Sequence, residues 1–216
     1  MFFQYLPVHK VSSDPGPYGD ARNHCVNYNY YSVPNNKITS VHECCHGIAS
    51  QIRQGRTNGF YLLEDRAIKL DEPQGKKSDC IKFIPPNMRY GRFQMYVAAA
   101  KDWESYPLYI FDEWVAYLNG AKCMLYYAER GSNEGRNTDY LFGPIEFATY
   151  GIATLLAHPQ RELEEFTRWL CSETESVYLK GKDVFKWADA DKCYAQLKND
   201  KDFSQFFTNP EPDWIM

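Results

Sequence analysis

The spacing of hydrophobic and polar positions places the strand patterns of this chain near its N-terminus. After a loop-like stretch at 11–24, rich in proline, glycine and serine, an aromatic segment at 25–33 partly alternates and predicts a strand. Short runs at 60–65, 67–70 and 81–84 predict three more strands. The predicted sheet therefore lies within the first 85 residues.

The remaining pattern is helical. It begins at about 36–54, where apolar positions from Val41 to Ile52 recur at spacings of three and four. Further helical patterns cover 88–101, 108–130, 144–157, 159–172 and 183–199. We therefore predict an α+β fold, mostly helical with a small sheet, in a single domain spanning residues 1–216.

Composition narrows the class of protein. Hydrophobic residues make up 44% of the chain and charged residues 24%, as in ordinary globular proteins. A mean hydropathy of -0.57 argues against a membrane protein. The formal net charge of -4 provides no basic surplus, so we expect neither nucleic acid nor an anionic membrane as the partner.

The cysteines and the N-terminal residues indicate the cellular compartment in which the protein is made. Seven cysteines without any C-x-x-C pair favour reduced thiols. The first residues, MFFQYLPVHK, lack the basic segment of a signal peptide, so we expect synthesis in the cytoplasm. An effector exported by a dedicated secretion system without a cleaved signal peptide has the same features, and both the site of action and the oligomeric state stay open.

One motif in the first helical pattern indicates metal chemistry. His42-Glu43-Cys44-Cys45-His46 has the form H-E-x-x-H, in which two histidines four residues apart project from one helix face toward a single ion. The glutamate lies beside the metal-bound water and takes its proton. Both cysteines are expected to pack in the core, since Cys45 belongs to the apolar stripe. The alternative is that both histidines are ordinary helix residues.

A catalytic zinc site needs a third protein ligand. The metzincin pattern fails, because Ala49 and Ile52 stand where it requires glycine and histidine. We therefore expect a carboxylate, and favour Glu113 because the apolar residues of its helical pattern can pack against the first helix. The alternative ligands are Glu64, Asp65, Glu104, Glu129 and Glu146.

A second motif surrounds Glu113. Tyr106 stands seven residues before it, and Trp114 and Ala116 follow, giving Tyr-x6-Glu-aromatic-x-Ala. Together with H-E-x-x-H, this pattern resembles the Glu-zincin metallopeptidases, among them the catalytic domain of anthrax lethal factor and related bacterial effector proteases. The resemblance covers less than a quarter of the chain. One departure is Tyr117, which stands where many Glu-zincins have an aspartate that holds a histidine.

The resemblance implies a zincin-like fold, cleavage of a peptide bond, and a helper role for Tyr106 in stabilising the oxyanion. We therefore predict a zinc-dependent endopeptidase with zinc held by His42, His46 and Glu113, and a protein or peptide substrate. Glu43 activates the metal-bound water. Two alternatives stay open, a non-catalytic zinc-containing interaction protein and a zinc hydrolase of a non-peptide substrate. Glu43 favours an enzyme, since a structural zinc site needs no base.

Overall fold

The structure is a computed structural model that describes residues 37–63, 66–131, 139–185 and 187–207. The strand predicted at 25–33 lies outside these residues. The described part is mostly helical with a two-stranded antiparallel sheet, which agrees with the predicted α+β class. Within these ranges, every helix is too short or too polar to cross a membrane.

The long helices surround one apolar core. They are α1 (Lys37–Ile52), α2 (Tyr109–Glu129), α3 (Asp139–Ala157), α4 (Arg161–Gly181) and α5 (Ala188–Asn199), and a short α6 (Lys201–Ser204) follows. The sheet pairs β1 (Thr57–Tyr61) with β2 (Ala67–Asp71), with Thr57 opposite Asp71 and Tyr61 opposite Ala67. Gly55, at a φ of 62°, lies in the tight turn that leads from α1 into β1.

The prediction of a strand at 81–84 is wrong. Most of this segment belongs to a 3-10 helix at Lys77–Phe83. The Asp79 carboxylate accepts a hydrogen bond from the Lys76 backbone N–H at 2.8 Å and closes the first turn. Cys80 is fully buried in this arrangement. Local capping and burial together outweigh the strand preference of the apolar residues.

Other helix predictions differ from the structure at their ends or in their type. The segment at 88–101 is a π-helix at Phe93–Ala98 between two short 3-10 turns, instead of one α-helix. α3 begins at Asp139 rather than at Pro144, because the apolar residues before this proline are buried and outweigh the missing N–H donor. α4 continues to Gly181, beyond the predicted end at 172.

α2 packs against both α1 and α3 and so forms the centre of the helical layer. Trp114 of α2 is fully buried, and its indole N–H donates to Thr174 Oγ1 of α4 at 3.0 Å. Gly151 of α3 faces the Trp114 ring, where an added Cβ would lie 2.3 Å from a ring carbon. These contacts fix the rotation of α2 about its axis and therefore the direction of the neighbouring Glu113.

The cysteines correct one prediction and support another. Cys45 is buried and accepts a hydrogen bond from Asn119 Nδ2 at 3.2 Å, and burial raises the pKa of its thiol to about 12. The predicted packing role thus agrees with its environment. Cys44 is also buried but is disulfide-bonded, so the expectation of reduced thiols throughout is wrong. Sequence spacing alone does not show which sulfurs approach in space.

Candidate metal centre

Two helices bring three ligand-type side chains together. His42 and His46 project from one face of α1, and Glu113 lies in the first turns of α2. The two Nε2 atoms are 3.2 Å apart. Glu113 Oε2 lies 3.7 Å from His42 Nε2 and 3.6 Å from His46 Nε2. The predicted ligands therefore converge, although His46 and Glu113 are far apart in the sequence.

The three atoms have the spacing that a small cation requires. The triangle they form has nearly equal edges, and a point about 2.0 Å from all three exists, which matches zinc–nitrogen and zinc–oxygen distances. Glu113 Oε2 is buried and has no hydrogen-bond partner among the described residues. A buried carboxylate oxygen is costly unless a charge or donor compensates it. Two imidazoles and this carboxylate therefore suit zinc.

The other carboxylates considered as ligands have different environments. Glu104 accepts a hydrogen bond from the Ser78 hydroxyl, and Glu129 is exposed at the end of α2. Glu146 is fully buried and pairs with Arg92. Glu64 and Asp65 lie outside the described residues. Among the candidates that the structure describes, Glu113 alone belongs to the ligand group.

Asp112 is a site residue that the sequence did not reveal. Its Oδ2 lies 2.9 Å from His46 Nδ1, on the opposite side of the ring from His42 and Glu113. A carboxylate that accepts from one imidazole nitrogen fixes the ring orientation and leaves the other nitrogen for a metal. In the sequence, Asp112 has only the features of a carboxylate near a helix N-terminus. Its adjacency to Glu113 becomes informative once α1 and α2 are known to pack.

The two histidines differ in protonation. Burial, together with the nearby His46 and Arg92, lowers the pKa of His42 to about 3, so His42 is neutral at pH 7. Burial also lowers the pKa of His46, but Asp112 and Glu113 outweigh it and hold that pKa well above its usual range. Since only unprotonated imidazole nitrogen binds a metal, a cation entering this group displaces a proton from His46.

Glu43 follows His42 on α1 and is half-buried beside the ligand group. Burial raises the pKa of its carboxyl, the nearby His46 lowers it, and Glu113 raises it, with a net increase. Glu43 is not one of the three converging ligands. A carboxylate of raised pKa beside a metal-type group is a suitable proton acceptor.

The tyrosines near the candidate site differ in their distance from it: Tyr106 lies outside it, whereas Tyr109 and Tyr117 lie beside the candidate ligands. Tyr106 is 37% exposed, and its ring lies 6.1 Å from that of Trp103. In the described part of the chain, neither a hydrogen bond nor a ring contact joins Tyr106 to His42, His46 or Glu113. Tyr117, in contrast, places its ring 4.6 Å from the His42 ring. Burial raises the pKa of Tyr109, and the nearby Glu113 carboxylate raises it further.

Comparison with known proteins adds no relative. No family model, curated protein or solved structure matches the chain. The likeness to the Glu-zincins therefore stays an expectation drawn from two short motifs. The geometry of His42, Glu43, His46 and Glu113 has to support any function by itself.

Proposed function

We propose that this protein is a zinc-dependent endopeptidase with a zincin-like arrangement of its two site helices. The observation that supports this proposal most directly is the convergence of His42, His46 and Glu113, with Glu43 next to the first of them on α1. Three protein ligands and a nearby base are the composition of a catalytic zinc site, whereas a structural site has four protein ligands and needs no base.

The side chains divide the chemistry among them. His42, His46 and Glu113 would hold the zinc ion, which would supply Lewis acidity for the scissile carbonyl and for the attacking water. Glu43 takes the proton from the attacking water and passes it to the leaving amine, a role suited to its raised pKa. Asp112 keeps the His46 ring in position through the 2.9 Å contact with Nδ1.

Peptide cleavage with and without Glu43 tests this proposal. The purified protein is supplied with zinc and incubated with a mixed peptide library, and the products are identified by mass spectrometry. We expect cleavage by the parent, and a rate lower by about a thousandfold for Glu43→Gln, which removes the base but no ligand. Zinc content should be the same in both. Glu129→Gln, an exposed change at the far end of α2, should cleave like the parent.

Two results would contradict the proposal in different ways. Cleavage by Glu43→Gln at the parental rate would remove Glu43 from its role as the base. A zinc-loaded parent that cleaves no peptide would contradict peptidase activity, and would redirect the assignment to a hydrolase of another substrate or to a non-catalytic zinc protein.

A further inference from the structure

A segment of unusual backbone conformation lies next to the candidate ligands His42, His46 and Glu113. Residues Phe93–Ala98 form a π-helix, a rare conformation that occurs frequently at functional sites. Lys77, which is 1% exposed, donates from Nζ to the backbone carbonyl of Tyr96 at 3.0 Å and also to that of Val97. Burying an ammonium group is costly unless its donors are used. These hydrogen bonds therefore hold the π-helix in place.

The π-helix directs the Tyr96 side chain toward the candidate metal site formed by His42, His46 and Glu113. The Tyr96 hydroxyl lies 3.1 Å from the Tyr117 hydroxyl. Tyr117 follows Glu113 by one turn on the same face of α2, and its ring contacts that of His42 with centroids 4.6 Å apart. Tyr96 is itself only partly buried. Its phenol thus lies among the aromatic rings beside His42, in a part-buried position.

The Tyr96 and Tyr117 phenols have one more O–H donor than the hydrogen bond between them uses. Each phenol has one O–H, and the contact between Tyr96 and Tyr117 uses one of the two hydrogens. The Arg92 guanidinium, held by Glu146 at 2.9 Å, lies 4.7 Å from the centroid of the Tyr117 ring. Either phenol can be the donor in this contact, and the cation beside Tyr117 favours the arrangement in which Tyr117 donates. In that arrangement the Tyr96 hydrogen is left for a third oxygen.

The neighbouring tyrosines are less suitable donors. The Tyr109 phenol lies near the Glu113 carboxylate, a candidate ligand, and burial together with this carboxylate raises the pKa of the phenol, which therefore holds its proton. Tyr106, the residue implied by the likeness to the Glu-zincins, is exposed and packs against Trp103. Among these residues, Tyr96 is the one whose O–H is available when Tyr117 donates, and it is also partly exposed. Its position is fixed because Lys77 holds the π-helix that carries it.

We propose that Tyr96 is a further catalytic residue, whose phenol donates a hydrogen bond to the scissile carbonyl oxygen as that oxygen becomes negative. The inference rests on the peptidase function proposed above. The proton stays on Tyr96 throughout, and no bond of the phenol breaks. Such a donor acts chiefly on the transition state, because the carbonyl oxygen gains its charge there.

Removing single hydroxyls tests the inference. Tyr96→Phe, Tyr106→Phe and the control Tyr126→Phe, which lies about 20 Å along α2 from Glu113, are compared with the zinc-loaded parent. We expect Tyr96→Phe to lower kcat by about a hundredfold to a thousandfold with little change in KM. Tyr106→Phe should reduce kcat less, and Tyr126→Phe should match the parent. Zinc content should be equal in all four proteins.

A binding measurement gives a readout apart from turnover. A phosphonate peptide places charged oxygens where the reacting carbonyl develops charge, and its affinity is measured by calorimetry. Tyr96→Phe should weaken this affinity by about the same factor as kcat. Phenylalanine keeps the ring that lies 5.2 Å from Phe147, so the melting temperature should stay close to that of the parent.

The outcomes separate this inference from the function on which it rests. An active parent whose Tyr96→Phe form cleaves as fast and binds the phosphonate as tightly overturns the role of Tyr96 alone. A larger loss in Tyr106→Phe than in Tyr96→Phe also overturns it and assigns the donor to Tyr106. A zinc-loaded parent that neither cleaves peptides nor binds the phosphonate overturns the peptidase function, and the role of Tyr96 with it.

Discussion

At the scale of single residues, His46 has charged or polar neighbours on both sides of its ring. Nδ1 faces Asp112 at 2.9 Å, and Nε2 faces His42 and Glu113. The Asp112 carboxylate makes the imidazole a stronger base and fixes the tautomer that leaves Nε2 for a metal. His42 relies instead on burial to keep its ring neutral. Burial therefore keeps one candidate ligand, His42, neutral, whereas a carboxylate orients the other, His46.

We predict that Asp112→Ala lowers zinc affinity by about 10- to 100-fold without removing any ligand, because the His46 ring loses its orienting partner. Competition against a zinc-binding dye measures the dissociation constant. Asp102→Ala is the matched control, since Asp102 is exposed and lies in the 3-10 turn at Lys101–Trp103. Equal affinities for the two variants would show that Asp112 does not support the site.

At the scale of elements, the contact between α2 and α3 determines where Glu113 points. Gly151 leaves the space into which the Trp114 ring packs, and Trp114 is the next residue after Glu113. The ring is fully buried, and its indole N–H is used by Thr174. A change at Gly151 therefore affects both the stability of the helical layer and the direction of the ligand.

We predict that Gly151→Ala destabilises the protein by about 1–3 kcal/mol, because the new Cβ would lie 2.3 Å from the Trp114 ring. Gly47→Ala is the matched change in α1. An added Cβ at Gly47 meets no atom within 4 Å, so this change should stabilise the helix by about 0.5–1 kcal/mol. Urea unfolding measures both. Equal stabilities would contradict the tight packing of Trp114 against α3.

The elements also show how far the sequence predicts this structure. Apolar spacing indicated α1, which buries one face, and the apolar run of α2, which is buried on most sides. It thereby indicated the two helices that carry the candidate ligands. The π-helix at Phe93–Ala98 was not predictable in this way. Its carbonyls are held by Lys77, a residue distant in the sequence, so its conformation depends on tertiary contacts rather than on local preference.

The candidate site likewise contains some residues that the sequence predicts and others that only the packing of the elements reveals. The spacing within H-E-x-x-H is sufficient to place His42 and His46 on one helix face. Asp112, Tyr96 and Tyr117 have no comparable signal, because each reaches the site through the packing of one element on another.

At the scale of the whole molecule, the candidate site joins elements that are distant in the chain. α1 carries two candidate ligands and the proposed base, α2 carries the carboxylates Asp112 and Glu113, and the π-helix adds the Tyr96 phenol. All three elements contribute to the same apolar core. A cation bound at this position would link α1 to α2 and so stabilise the folded state in which they pack.

Zinc content per chain tests the central claim most directly. Native mass spectrometry after zinc supply at neutral pH is applied to the parent, to His42→Ala and Glu113→Ala, and to the control Glu129→Ala, whose carboxylate is exposed at the end of α2. We predict about one zinc per chain in the parent and in Glu129→Ala, and loss of zinc in both ligand variants. A parent without zinc, or equal zinc in the parent, His42→Ala and Glu113→Ala, would contradict the proposed zinc centre.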